Sequence, residues 1–210
     1  MVDRQILERF VEQFDGLKSV IQMSAARTIS DPPDTLFLEN QNIFVKSYLV
    51  SACSMLEAFI QDLSMEYIAH IQDRINRANL PFNFVIWLAQ NEKPKPEFKK
   101  FEGTKSRKDI EDLISPDYWK TMKAFDRIGV DLSASNVETF KDYITTIVLK
   151  RNRIVHHNDE ASDLSFGDIS TAVDQFKAYC ECLFLAVSTN GHLGTTAALA
   201  GSVDPVEAVE

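Results

Sequence analysis

Apolar residues recur at intervals of three and four along most of the chain, the spacing of one face of an α-helix. From Asp3 to Ile29 the stripe runs through Ile6, Leu7, Phe10, Val11, Phe14, Leu17, Val20 and Ile21, and Asp31-Pro32-Pro33-Asp34 stops it. A longer stretch from about Asn40 to Ala78 carries Phe44, Tyr48, Ser51, Met55, Phe59, Leu63 and Tyr67. Asn79-Leu80-Pro81 breaks the pattern, and Pro81 suits the first turn of a short helix ending near Asn91. Ile110, Leu113, Trp119, Met122 and Phe125 predict a helix over Asp109–Ile128, bent near Pro116. Ser133 to Asn136 supplies N-caps for a fifth helix bearing Val137, Phe140, Ile144, Ile147 and Val148. Its Tyr143–Leu149 run is rich in β-branched residues, but the helical spacing on both sides argues against a strand. Ser165 or Asp168 caps a last helix through Ile169, Val173, Phe176, Tyr179, Leu183 and Val187. The expectation is an all-α bundle of about six helices.

Composition agrees with long helices. Glycine and proline contribute 7 residues each to the 210, and Gly191, Gly194 and Gly201 all fall in the last twenty positions. The length suits one domain with an appendage. The expected division is an N-terminal helix and linker over 1–39, a helical domain over 40–188 with an insertion at 92–108, and a flexible acidic tail over 189–210. The longest apolar runs, such as Phe84–Ala89 and Cys182–Val187, fall far short of the roughly 20 residues a membrane span needs. Asp3, Arg4, Glu8 and Arg9 leave no room for a secretory leader's apolar core. Cys53, Cys180 and Cys182 lack zinc-type spacing, so reduced thiols in a cytoplasmic protein are expected.

A net charge of −9 disfavours a general nucleic-acid coat. One segment departs from the average. Glu92 to Lys108 holds seven basic residues against three acidic ones, a local +4 that leaves −13 elsewhere. Pro94 and Pro96 exclude a helix interior there. With Phe98 and Phe101 as apolar anchors, the segment is expected to be a docked loop whose Lys99, Lys100, Lys105, Arg107 and Lys108 suit an RNA backbone.

Candidate chemistry concentrates in Lys150-Arg151-Asn152-Arg153-Ile154-Val155-His156-His157-Asn158-Asp159. At 100° per residue, Arg151 and His156 stand about 140° apart on a continuous helix, whereas Asn152 and His156 share a face. Either the helix unwinds before His156 or a second chain completes the site. An imidazole with an ordinary pKa near 6.5 suits proton transfer at a ribose 2′-OH or a leaving 5′-oxygen. A guanidinium suits a phosphate and the charge that develops on it, and Asn152 suits an orienting role. The same cations also suit the negative end of a helix dipole with no catalytic task. No phosphate-cradling glycine loop, H-E-x-x-H or nucleophile elbow occurs.

Arg151-Asn152-x-x-x-His156 resembles the signature of the HEPN superfamily, the higher eukaryotes and prokaryotes nucleotide-binding domain. Tyr48 to Ile60 is similar to the long helix of stand-alone HEPN proteins, with Glu57 at the position of an acidic residue facing the motif. The resemblance spans roughly Gln41 to Val187. It departs from a common variant with Tyr two residues after the His, where this chain has Asn158. The resemblance implies a metal-independent endoribonuclease that needs no cofactor and leaves 2′,3′-cyclic phosphate ends, a toxin or antiviral defence effector. It further implies a homodimer with a composite active site. Arg151, His156, Asn152 and Glu57 would be catalytic; Arg153 and His157 would join the loop cations in binding RNA. An antitoxin or other regulatory protein is an expected partner. Some members only bind nucleotides or serve as structural modules, so a non-catalytic HEPN-like nucleotide- or RNA-binding or protein-interaction module is the alternative.

Overall fold

The computed structural model describes residues 2–89, 98–103, 105–111, 113–133, 135–158 and 161–191. Lys93-Pro94-Lys95-Pro96, Asp159, and the tail from 192 onward lie outside the described residues. Eight α-helices and one 3₁₀ segment are present, with no strand among the described residues. They are α1 (Gln5–Thr28), α2 (Thr35–Glu39), α3 (Gln41–Ala78), α4 (Phe82–Ala89), α5 (Arg107–Glu111), α6 (Tyr118–Arg127), α7 (Lys141–His157) and α8 (Phe166–Ser188). The 3₁₀ segment Asn136–Phe140 leads into α7. The all-α expectation holds.

The 38-residue α3 is the axis of the bundle, packed against α1, α2, α5, α7 and α8. It contains an 18-residue window of mean hydropathy 1.5, long and apolar enough to cross a membrane, where the sequence reading expected no such stretch. Its apolar residues serve a different purpose here. Val45, Leu49, Ala52, Cys53, Leu56, Phe59, Ile60 and Leu63 are fully enclosed by neighbouring helices. Helix α1 is an integral layer: Phe10 meets Phe59 edge-on at 5.5 Å, and Phe14 meets Phe176 at 6.3 Å, contacts that add to the large area such rings bury. Lys18–Asp174 and Lys177–Asp15 then set the register of α1 against α8 at 2.6 and 2.5 Å.

Three expectations need correction. The helix expected over Asp109–Ile128 is two helices. Pro116 has no amide to donate, and Asp117 starts α6 afresh by accepting from the Lys120 amide at 3.0 Å. Second, the five-residue α2, capped by Asp34 through the Leu36 amide at 3.0 Å, is too short to show a period. Third, Phe98 is 98% exposed and anchors nothing. The ribbon after it is held by backbone bonds from Phe82 N to Lys99 O (3.0 Å) and Phe101 N to Leu80 O (2.7 Å). Phe101, packed 6.3 Å from Phe82, does serve as an anchor.

The two helices of the motif end are delimited sharply. Ser165 and Asp168 form a reciprocal capping box: Ser165 N donates to Asp168 Oδ2 at 2.8 Å, and Asp168 N to Ser165 Oγ at 3.2 Å. Helix α7 stays helical through His157 and ends at Asn158, whose φ of 51° is left-handed and whose amide donates back to Arg153 O. Asn tolerates that conformation far better than a bulky residue. A tyrosine at position 158 would fit this left-handed turn less well than Asn158.

Candidate functional site

Arg151 lies on the inward side of α7 and reaches α3. Its Nη2 is 3.8 Å from Glu57 Oε2, with 20% and 32% of the two side chains exposed. Its Nη1 donates to Asn152 Oδ1 at 3.1 Å. The enclosed Nε has no hydrogen-bond partner among the described residues. One turn before Glu57 on α3, Cys53 is fully buried, and its thiol is pushed up to about 12. Burial is the main cause; the Arg151 charge pulls it down and Glu57 pushes it further up. A thiol held protonated is no nucleophile at neutral pH.

His156 sits on the other side of α7, exposed, as are Arg153 and His157. Because α7 does not unwind, the 140° separation from Arg151 stands. The structure thus brings Arg151, Asn152 and Glu57 together and leaves His156 facing outward. Leu149, half exposed on the same outward face, lies two turns before His156. Lys46, near the start of α3, is a cation the sequence reading passed over. Its Nζ stands 3.4 Å from Asn158 Oδ1 and 3.5 Å from Asn158 O, at the end of α7. Its signal was only that it is the sole basic residue in the first five turns of α3.

The loop lysines are elsewhere, while Arg107 reaches Asp62, five residues along α3 from Glu57. Gly103 packs beside Ile75, where a Cβ would lie 3.3 Å from Ile75 Cδ1. Eighteen residues at 1.5 Å each put Ile75 about 27 Å along α3 from Glu57. Lys99, Lys100, Lys105 and Lys108 are exposed; Lys99 Nζ covers the Phe82 ring at 4.9 Å. Arg107 is tied to Asp62 at 3.0 Å, sharing that carboxylate with Arg9. A cavity of about 710 Å³ opens between Tyr67, Ile71 and Ile75 of α3, the ribbon at Gly103 and Ile128. No motif residue lines it. Among the described residues no group of three His, Cys, Asp or Glu side chains gathers as a metal ion would require.

A helical bundle whose penultimate long helix ends in Arg-Asn-x-x-x-His, the arginine paired with an acidic residue of the central helix, defines a HEPN-type module. The model of the RiboL-PSP-HEPN family matches residues 17–189, and the chain belongs to that family. The match begins within α1, earlier than the resemblance noted from Gln41. No curated protein and no solved structure matches the chain. Membership associates the protein with ribonuclease or other RNA-related function.

Proposed function

We propose that the protein is a metal-independent endoribonuclease whose site is completed across a homodimer, acting in the cytoplasm as a toxin or defence effector. The observation that carries this reading is the placement of Arg151 and His156 on opposite sides of an unbroken α7, the first held by Glu57, the second exposed. One chain cannot aim both at a single phosphate, whereas a symmetric partner lays its own α7 against the first. The half-exposed Leu149 gives that face an apolar contact.

In this reading Arg151 clamps the scissile phosphate and stabilises charge on its oxygens. The unpartnered Nε supports such a task, since a buried donor without an acceptor is costly and an anion would relieve it. His156 takes the 2′-OH proton; the 2′-oxygen attacks phosphorus, and the 5′-oxygen leaves with a proton from water. The products carry 2′,3′-cyclic phosphate and 5′-hydroxyl ends. Asn152 and Glu57 orient Arg151. Three free cysteines support a reducing compartment.

The test is digestion of total RNA in EDTA by the wild-type chain and by Arg151→Ala/His156→Ala. Cleavage by wild type alone, leaving cyclic phosphate, supports the reading. Equal cleavage by both refutes the assignment to this motif.

A further inference from the structure

Helix α4 is unlike every other helix of the bundle. Its sequence, Phe-Asn-Phe-Val-Ile-Trp-Leu-Ala, has one polar residue, yet none of the eight is buried. Phe84, Trp87 and Leu88 fall within a 100° arc of the helix and face outward, at 49%, 64% and 66% exposure. Phe84 and Trp87 stand 6.2 Å apart with their rings tilted by 45°. The ribbon bonded to the first residue of α4 adds Phe98, fully exposed, and the exposed Lys99 and Lys100. These rings are not loosely hung: the two backbone bonds to Leu80 and Phe82, and Gly103 against Ile75, hold the ribbon in place.

Two properties coincide at this patch. Aromatic rings are presented to solvent, and the exposed Lys99 and Lys100 stand beside them, on a protein of net charge −9. A polyanion is repelled by most of this surface and drawn to this part of it. A ligand that offers both flat apolar faces and phosphates complements the patch fully. Unpaired nucleotides do so, while a duplex hides its base faces. We infer that the outer face of α4 and the Phe98–Lys100 ribbon form a binding platform for single-stranded RNA, where unpaired bases stack on Phe84, Trp87 and Phe98 and the lysines meet the phosphates. The inference rests on the RNA reading above and adds a substrate class to it. Lying beyond the Ile75 end of α3, about 27 Å from Glu57, the platform grips RNA at a distance from the cleaved bond and selects unstructured substrates.

The experiment uses the full chain carrying Arg151→Ala/His156→Ala, so that RNA is bound but not cut. A fluorescein-labelled 20-nucleotide single strand, the same strand in duplex, and vesicles of phosphatidylcholine with phosphatidylserine are the probes. Single-strand binding tighter than duplex binding is expected. Trp87→Ala/Phe98→Ala should weaken it about tenfold or more, and Lys99→Glu/Lys100→Glu should weaken it and flatten its salt dependence. All these side chains are exposed, and unchanged circular dichroism will confirm that both variants fold. Affinity unchanged in both variants, equal affinity for duplex, or platform-dependent binding to vesicles but not to RNA overturns the inference. The two proposals fail separately. RNA cut by wild type and bound independently of the platform sinks the platform alone. Platform-dependent binding without any cleavage by wild type upholds the platform and sinks the ribonuclease.

Discussion

Replacing Glu57 by Gln keeps its shape and removes the charge that holds Arg151. At 3.8 Å and an effective dielectric of 20, the gross attraction is about 4 kcal/mol. Most of that is offset. Between a fifth and a third of each side chain is open to water, so screening and the desolvation already suffered leave a net coupling of about 1 kcal/mol. Glu57→Gln alone should therefore cost about 1 to 2 kcal/mol, because it also leaves Arg151 half buried with only Asn152 as partner. The assay is urea unfolding of four chains at one protein concentration: wild type, Glu57→Gln, Arg151→Met and the double variant. The double variant should be more stable than the sum of the single losses implies, by about 1 kcal/mol. Losses that add to within about 0.3 kcal/mol would refute the claim that α3 positions the arginine through this carboxylate.

The capping box yields a pH-dependent prediction. Hydrogen bonds from Ser165 hold the Asp168 carboxyl below its ordinary value, so the stability they confer is present above the usual carboxylate range and is lost as pH falls through the lowered value. Ser165→Ala should cost about 1 kcal/mol at neutral pH and less in acid, as thermal unfolding at pH 7 and pH 3 will read; an equal loss at both would contradict the box. Cys53 and Cys180 are enclosed thiols pushed far up by burial. Iodoacetamide at pH 7.5 should modify neither in the folded chain and both in urea, by mass spectrometry of digested peptides; rapid labelling of native Cys53 would contradict its burial beside Arg151.

What the sequence disclosed follows from what burial demands. Helices α1, α3 and α8 each bury a continuous stripe, and a stripe is a periodic signal, so their extents match the spacing closely; the fifth helix, expected from Val137, starts as a 3₁₀ segment and becomes α7 only at Lys141. Helix α2, at five residues, is shorter than two turns and leaves no period to detect. The break at Pro116 was visible as a bend only, although Leu113 and Trp119, six residues apart, would stand about 240° apart on one helix; Tyr118, not Trp119, is the buried ring at the start of α6. Glu57 was legible as facing Arg151 only through the family resemblance, which places an acidic residue of the long helix opposite the motif; the structure pairs the two at 3.8 Å. Phe98 misled for the converse reason: an apolar residue implies burial only if some surface covers it, and coverage is a tertiary fact. Lys46 was silent because its role depends on where Asn158 ends α7, over a hundred residues away.

The central claim is that Arg151 of one copy and His156 of another serve one phosphate. Complementation tests it most directly: refold a one-to-one mixture of Arg151→Ala and His156→Ala chains and assay RNA cleavage in EDTA beside each variant alone. Half of randomly formed dimers are mixed, and each holds one of two intact pairs, so about a quarter of wild-type activity should return from two inactive parents. A mixture as inactive as its parents, with mixed dimers verified by mass and the wild-type chain active, would contradict the account.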